Sequence, residues 1–177
     1  IQHIKTRFPF QSNEEKGWHV IHGLDADLIM LSMTCKNVNM LLLREQMQNN
    51  VIQRDDNGDA LLSYFNIEEF KKLIISHMEN IGGVYYEEDV RENIINDYIV
   101  LCFFLGNDFL PHPLSLSIHE KGVDTLLGIY APMQKKLNTY LIQSEKKVTV
   151  LNNNFLKAIM YRLSQREENA IIKSQKK

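Results

Sequence analysis

Three aspartates in two short segments have the chemistry and spacing of metal ligands. Asp25 and Asp27 lie in the segment GLDADLIML that begins at Gly23. Asp108 lies in the segment GNDFLPH that begins at Gly106. In both segments the carboxylates follow an apolar stretch, at the point where a strand or helix would end. Mg²⁺ prefers oxygen ligands and often takes a few carboxylates from separate elements, so the two segments predict a site for a hard divalent metal ion.

The first pair of aspartates follows a predicted strand. Residues 18–22 alternate β-branched or aromatic side chains with polar ones and end at Gly23, a pattern typical of a strand entering a turn. Ligands bind beyond the carboxyl ends of strands in open α/β sheets, which is where Asp25 and Asp27 would lie. Residues 28–33 predict the first turns of a helix, with Asp27 as its N-cap. The residues alone also fit a plain turn followed by a helix cap.

The third aspartate follows a predicted buried helix. Apolar residues at helical spacing fill the stretch from about Glu88 to Leu105, with few polar residues near its end. Gly106 fits the position after a helix C-terminus, and Pro111 prevents the helix from resuming. Asp108 is therefore expected on a tight turn. If it lies near Asp27, two ions about 4 Å apart could bind the attacking and leaving oxygens of a phosphoryl displacement.

Both segments, in this order and separation, resemble the Xrn family of 5′-to-3′ exoribonucleases. The stretch HVIHGLDADLIML from His19 is similar to the family's strand and metal-binding loop. The stretch DYIVLCFFLGNDFLPH from Asp97 is similar to its most recognisable segment. Residues 42–45 match its following strand, and weaker agreement continues through residues 114–118, 122–130 and 140–141 before fading near residue 168.

This resemblance implies a function and a set of ligands. Asp25, Asp27 and Asp108 would be catalytic metal ligands that hold Mg²⁺, with Mn²⁺ as the alternative, as two ions with further ligands outside this chain. The implied reaction is stepwise hydrolysis of RNA that carries a 5′-monophosphate, by a two-metal mechanism. Asn107 and His112 also match the motif, and we expect them to support the site rather than bind the metal, because Mg²⁺ favours oxygen over imidazole.

The chain departs from the family pattern in two places. The family's other acidic ligands, in a segment similar to Gly-Glu-Gly-Glu-His-Lys, and its basic 5′-phosphate pocket would both precede Ile1. We therefore expect a piece of a longer protein that needs its missing N-terminal part and is inactive alone. The second departure is the order His112-Pro113-Leu114, where the family usually has His-Leu-Pro.

Composition limits the class of protein. Twenty basic and twenty-two acidic residues give a net charge of −2, which is unusual for a free-standing RNA-binding protein. Cys35 and Cys102 are predicted to be buried thiols without metal-like spacing. This cysteine usage indicates a reducing interior, and the resembled family has cytoplasmic and nuclear members, so we expect an intracellular protein, cytoplasmic or nuclear, and a viral origin is compatible. No apolar run is long enough to span a membrane.

We predict an α/β fold with a parallel-sheet core of the PIN/flap-endonuclease-like type, flanking helices and a mainly helical C-terminal third. Residues 1–135 would form a partial nuclease core, and residues 136–177 a helical continuation packed on it. Further elements expected along the chain are a buried strand at residues 39–44, helices at residues 66–79, 119–130 and 153–173, and a surface turn at residues 55–59.

Single residues add smaller expectations. Pro132 is expected to stop the helix predicted at residues 119–130, and Trp18 is expected to pack in the core rather than stack on a base. Arg44 could contact a phosphate, orient Asp25 or form a local ion pair with Glu45.

Two other functions fit the residues. One is another metal-dependent nuclease of the wider PIN and flap-endonuclease-like group, which the long match around Asp108 disfavours. The other is a catalytically inactive relative retained as a structural or RNA-binding component. The presence of all three aspartates argues against an inactive relative.

Overall fold

A computed structural model describes residues 17–23, 25–36, 38–106, 122–145 and 148–175 of the chain. The chain divides into two compact units, Ile1–Leu73 and Ile74–Lys177. Among the described helices, none combines the length and the apolar character that crossing a bilayer requires.

The first unit contains a three-stranded sheet that carries the predicted metal-binding loop. Strand β1 (Trp18–His22) pairs in parallel with β2 (Asn39–Glu45), and β2 pairs antiparallel with β5 (Leu62–Asn66). Helix α1 (Ala26–Met33) connects β1 to β2. This βαβ connection confirms the predicted strand, loop and helix around the first two aspartates.

Strand β2 is central because both of its edges are paired. Met40 and Leu42 are buried on one face of it, together with Ile67 at the start of the next helix. The chain is thus a mixed α/β protein with small sheets. The predicted parallel core appears among the described residues as a single parallel pair, β1 with β2, and the PIN-like type of that core remains a prediction.

The opposite face of this sheet is largely exposed. Trp18 is 60% exposed, and Val20, Leu62 and Tyr64 on the same face are also exposed. The expectation that Trp18 packs in the core was wrong. Side chains alternate between the two faces of a strand, and the buried side chains Met40 and Leu42 lie on the other face.

A short arm extends from the sheet between β2 and β5. Strands β3 (Met47–Gln48) and β4 (Val51–Ile52) pair antiparallel. The turn that follows is held by Asp55, whose Oδ1 accepts hydrogen bonds from the backbone amides of Asn57 and Asp59 at 2.9 Å each. This confirms the predicted surface turn.

Helix α2 (Ile67–Gly82) begins at the predicted cap. Asn66 Oδ1 accepts hydrogen bonds from the backbone amides of Glu68 at 3.0 Å and Glu69 at 3.3 Å, which satisfies two of the unpaired amides at the helix start. The helix ends at Gly82, followed by Gly83 with φ +56°, a conformation that favours glycine.

The second unit is mainly helical but includes a hairpin that was not expected. Its helices are α3 (Glu88–Phe103), α4 (Gly122–Leu137) and α5 (Asn153–Gln175). Between α4 and α5, strands β6 (Ile142–Glu145) and β7 (Val148–Leu151) pair antiparallel. The prediction of a mainly helical C-terminal third is therefore only roughly right, although the predicted bounds of α3 and α5 agree closely.

Helix α4 runs through Pro132, so the prediction that this proline ends the helix was wrong. Proline gives up one backbone hydrogen bond and crowds the carbonyl four residues earlier. The buried face of α4 includes Tyr130 before the proline and Gln134 after it. Packing on both sides of Pro132 therefore keeps the chain helical.

The two cysteines are free thiols that differ in burial. Cys35 is buried in the first unit, and Cys102 is partly buried in α3. Burial raises the pKa of Cys102 to about 11, although a hydrogen bond with Tyr98 opposes the rise. Such a thiol is unreactive at neutral pH, in agreement with the predicted structural role.

Candidate metal centre

The loop between β1 and α1 is fixed by Gly23. Its backbone amide donates a 2.7 Å hydrogen bond to the carbonyl oxygen of Leu43 in β2, which holds the loop to the sheet. Its φ of +133° is rarely adopted by residues with a side chain, and an added Cβ would lie 2.9 Å from Leu28 Cδ2. Glycine is therefore required where the chain turns from strand to helix.

Asp25, rather than Asp27, is the N-cap of α1. Its backbone is extended, with φ −88° and ψ 163°, and its Oδ1 accepts a 2.6 Å hydrogen bond from the backbone amide of Leu28. The prediction that Asp27 caps the helix was wrong by two residues. Asp27 already lies in the first helical turn, and a cap must instead have non-helical backbone and reach an amide two or three residues ahead.

The cap leaves part of the Asp25 carboxylate available. Asp25 is exposed, and its Oδ2 makes no hydrogen bond with the residues that the structure describes. Asp27 is half-buried in the first turn. Two carboxylates at the carboxyl end of a strand are suitable donors for Mg²⁺, although the N-terminal dipole of α1 also stabilises their negative charge.

The third predicted ligand lies outside the described residues. Asp108, together with Asn107 and His112, falls in the range 107–121, so the structure does not test whether Asp108 lies near Asp25 and Asp27. Within the part of the chain that the structure describes, no group of three or more His, Cys, Asp or Glu side chains could hold a metal ion. Gly106, which directly precedes the range 107–121, has φ +86°. This conformation is expected for a glycine that follows a helix.

The end of β2 beside this loop carries a polar pair. Glu45 Oε1 lies 3.3 Å from His22 Nε2 on the neighbouring strand. Its own backbone amide, His22 and, more weakly, Arg44 lower the pKa of Glu45. Glu45 therefore pairs across the strands rather than with its sequence neighbour Arg44, which makes no ion pair with the described residues.

The most unusual carboxylate in the described chain belongs to a residue that the motifs did not mark as functional. Asp97, in the middle of α3, is completely buried and accepts hydrogen bonds from Tyr130 and from two backbone amides. An available signal was a lone Asp among apolar residues at helical spacing. Its partners lie 33 to 45 residues further along the chain, so no local pattern could identify them.

Fold and loop define a mixed α/β protein with an acidic strand-to-helix loop at the carboxyl end of β1. Two family models match this chain. The model described as the XRN 5′-3′ exonuclease N-terminus matches residues 1–46, and the model described as the Xrn1 helical domain matches residues 89–177. The second match alone covers half of the chain. The chain belongs to the Xrn 5′-3′ exonuclease family.

Individual relatives agree with this assignment. The 5′-3′ exoribonuclease 2 of Candida glabrata is 29% identical over 166 residues, which cover 84% of this chain and 16% of that protein. The corresponding protein of Arabidopsis thaliana is 27% identical, and the aligned region covers 80% of this chain and 17% of that protein. The 5′-3′ exoribonuclease 1 of Schizosaccharomyces pombe is 28% identical, and the aligned region covers 80% of this chain and 11% of that protein. The chain thus spans less than a fifth of the length of each of these relatives.

Proposed function

We propose that this chain contributes metal ligands to a Mg²⁺-dependent 5′-to-3′ exoribonuclease that hydrolyses RNA bearing a 5′-monophosphate. The observation that carries the proposal is the position of the two family matches. The exonuclease N-terminus match contains Asp25 and Asp27, and the helical-domain match contains Asp108. The matched relatives and the family model of residues 1–46 are named for 5′-3′ exonuclease or exoribonuclease activity.

The roles proposed for the side chains are binding and orientation. Asp25 has one oxygen tied to the backbone amide of Leu28, which fixes the rotation of the carboxylate and leaves Oδ2 for a metal ion. Asp27 follows on the first turn of α1, and Asp108 would supply a ligand from the segment after α3. A pair of divalent ions would supply an activated water and charge stabilisation at the leaving 3′ oxygen.

The charge of the chain limits what it contributes to substrate binding. With a net charge of −2, it has no cationic excess for a phosphate backbone. In the proposal, the basic groups that hold the RNA and the remaining acidic ligands lie in other parts of the full-length protein. A role in RNA decay or processing also implies an intracellular location.

The experiment follows degradation of 5′-monophosphorylated and 5′-triphosphorylated RNA by the full-length protein at a range of Mg²⁺ and Mn²⁺ concentrations. Asp25→Ser is the sharpest variant, because serine keeps the helix cap and removes the carboxylate. We expect Asp25→Ser and Asp108→Ala each to slow cleavage by about a hundredfold or more, the scale of several kcal/mol of lost charge stabilisation. Asp56→Ala, in the exposed turn of the arm, is the matched control and should retain wild-type activity.

Other outcomes would overturn the ligand assignment or identify a different function. Undiminished turnover by Asp108→Ala would falsify the ligand assignment. Cleavage within the RNA, without dependence on the 5′ end, would favour the wider flap-endonuclease-like group. A folded full-length protein that binds RNA without cleaving it would be an inactive relative.

A further inference from the structure

Asp97 is a buried carboxylate that joins three elements of the second unit. It lies in the middle of α3 with no exposed surface. Its Oδ2 accepts hydrogen bonds of 2.7 Å from the hydroxyl of Tyr130 on α4 and from the backbone amide of Leu141. Its Oδ1 accepts a 2.8 Å hydrogen bond from the backbone amide of Ile142, the first residue of β6. Both oxygens are therefore occupied by donors from other elements.

The hydrogen bonds continue from the hairpin to the last helix. The backbone amide of Asn152 donates to the carbonyl oxygen of Leu141 at 2.7 Å, at the open end of the hairpin. The side chain of Asn152 donates to the carbonyl oxygen of Tyr140 and accepts from the backbone amide of Phe155, which caps α5. Asp97 is thus the start of a network that connects α3, α4, the β6–β7 hairpin and α5.

The surroundings of Asp97 are neutral rather than cationic. The ionisable groups that face it are Tyr130 on α4, Tyr140 before β6 and Tyr86 before α3. Two further carboxylates act on these tyrosines: Glu79 of α2 accepts from the backbone amide of Tyr86, and Asp89 of α3 raises the pKa of Tyr140. No cation is among the influences on the Asp97 carboxyl group within the described residues. The charge is balanced only by the dipoles of a hydroxyl and two amides.

We propose that Asp97 is a pH-responsive clasp: its buried carboxyl group holds the β6–β7 hairpin against α3 and α4, and the clasp tightens when that group takes up a proton. When the hairpin detaches, the carboxylate returns to water, where its charge is solvated. When the hairpin is closed, the charge lies in an environment of low polarity without a cation. The closed state therefore binds a proton more strongly than the open state.

Tyr130 allows proton uptake without loss of the backbone contacts. A tyrosine hydroxyl donates to an ionised carboxylate and can rotate to accept from a protonated one. The amides of Leu141 and Ile142 can continue to donate in both states. Proton uptake would thus reverse one hydrogen bond rather than break the clasp.

The pKa of Asp97 agrees with this direction. Burial raises it from 3.8 to about 6, although the hydrogen bonds from Tyr130, Leu141 and Ile142 oppose the rise. Burial also raises the pKa values of Tyr86, to about 12, and of Tyr130 and Tyr140. The tyrosines therefore stay neutral while Asp97 titrates, so the clasp should weaken as the pH rises through about 6.

The test is hydrogen exchange of single amides in the purified chain, measured by NMR between pH 5 and pH 8 and corrected for the intrinsic exchange rates. We expect the protection of the Leu141 and Ile142 amides to fall about tenfold across this range, as the raised pKa requires. In Asp97→Asn this pH dependence should disappear. Asp89→Asn, which removes an exposed carboxylate from the same helix, should behave as wild type.

A second variant covers the case in which Asp97→Asn does not fold. Tyr130→Phe removes one donor to the ionised carboxylate and keeps the aromatic ring, so the loss of protection should continue to a higher pH and become larger. Equal pH dependence in wild type and Asp97→Asn would overturn the proposal, as would protection of the hairpin amides that falls on acidification. The proposal does not depend on the nuclease assignment, because its readout is the hairpin rather than cleavage.

Discussion

At the scale of single residues, the β1–α1 loop depends on Gly23 and Asp25. Gly23 adopts the backbone conformation of the turn after β1, and the Asp25 side chain caps the N-terminus of α1. Both residues therefore determine the backbone conformation of the loop, whether or not a ligand is bound. A loss of function at either position therefore needs a separate measurement of folding.

Gly23→Ala should destabilise the chain by about 1–3 kcal/mol, because alanine is strained at φ +133° and its Cβ would contact Leu28. Urea denaturation followed by circular dichroism measures the free energy of unfolding. Gly128→Ala is the matched control: Gly128 lies inside α4 with open space around it, so alanine should be neutral or stabilise by up to about 1 kcal/mol. Equal effects of the two substitutions would contradict the strain argument.

At the scale of elements, capping side chains decide where helices begin. Asp25, Asn66 and Asn152 each accept a hydrogen bond from a backbone amide two or three residues ahead. Asn66 is the last residue of β5, Asn152 directly follows β7, and Asp25 follows the loop after β1. Pro132 is the contrasting case, in which packing overrides a local signal.

Asn66→Ala should lower the free energy of unfolding by about 1 kcal/mol, since the amides of Glu68 and Glu69 lose their acceptor at the start of α2. Asn66→Asp keeps an acceptor oxygen and should retain most of that stability. Chemical denaturation of the three proteins at the same pH makes the comparison. If the Asp variant is as unstable as the Ala variant, the cap is not the source of the effect.

At the scale of the whole molecule, each unit has its own buried core, and the two cores differ in chemistry. The described core of the first unit is apolar except for Ser32, whereas that of the second unit encloses the Asp97 carboxylate and its hydrogen-bond network. A buried charge without a cation links the stability of the fold to pH. The overall charge of −2 gives no indication of this property.

Asp97 should make the chain more stable at acidic than at neutral pH. Its pKa is about 6 in the folded state and 3.8 in the reference state, so its favourable contribution is complete below about pH 4 and is lost as the pH rises through 6. The difference in unfolding free energy between wild type and Asp97→Asn should fall by about 2–3 kcal/mol from pH 4 to pH 7.5. Urea denaturation at several pH values provides the measurement, and a constant difference would contradict it.

Much of the local structure could be predicted from the amino-acid sequence. Strand β1, the loop at Asp25 and Asp27, helix α3 and the turn at Asp55 follow from alternation, helical spacing, glycine and capping side chains. These signals act over a few residues, so they can be read from neighbouring positions. The family resemblance was confirmed for the same reason: its motifs are contiguous segments.

Tertiary contacts decided the remaining features. The burial of Asp97, the exposure of Trp18 and the continuation of α4 through Pro132 each depend on residues far along the chain or on which face of a sheet is covered. The helix cap was predicted at Asp27 rather than Asp25, because the backbone angles and the hydrogen bond that define a cap cannot be read from the residue types. The two carboxylates that follow β1 are thus evident in the sequence. The role of the Asp97 carboxylate in joining the elements of the second unit depends on hydrogen-bond donors 33 to 45 residues further along the chain, so only the tertiary structure shows it.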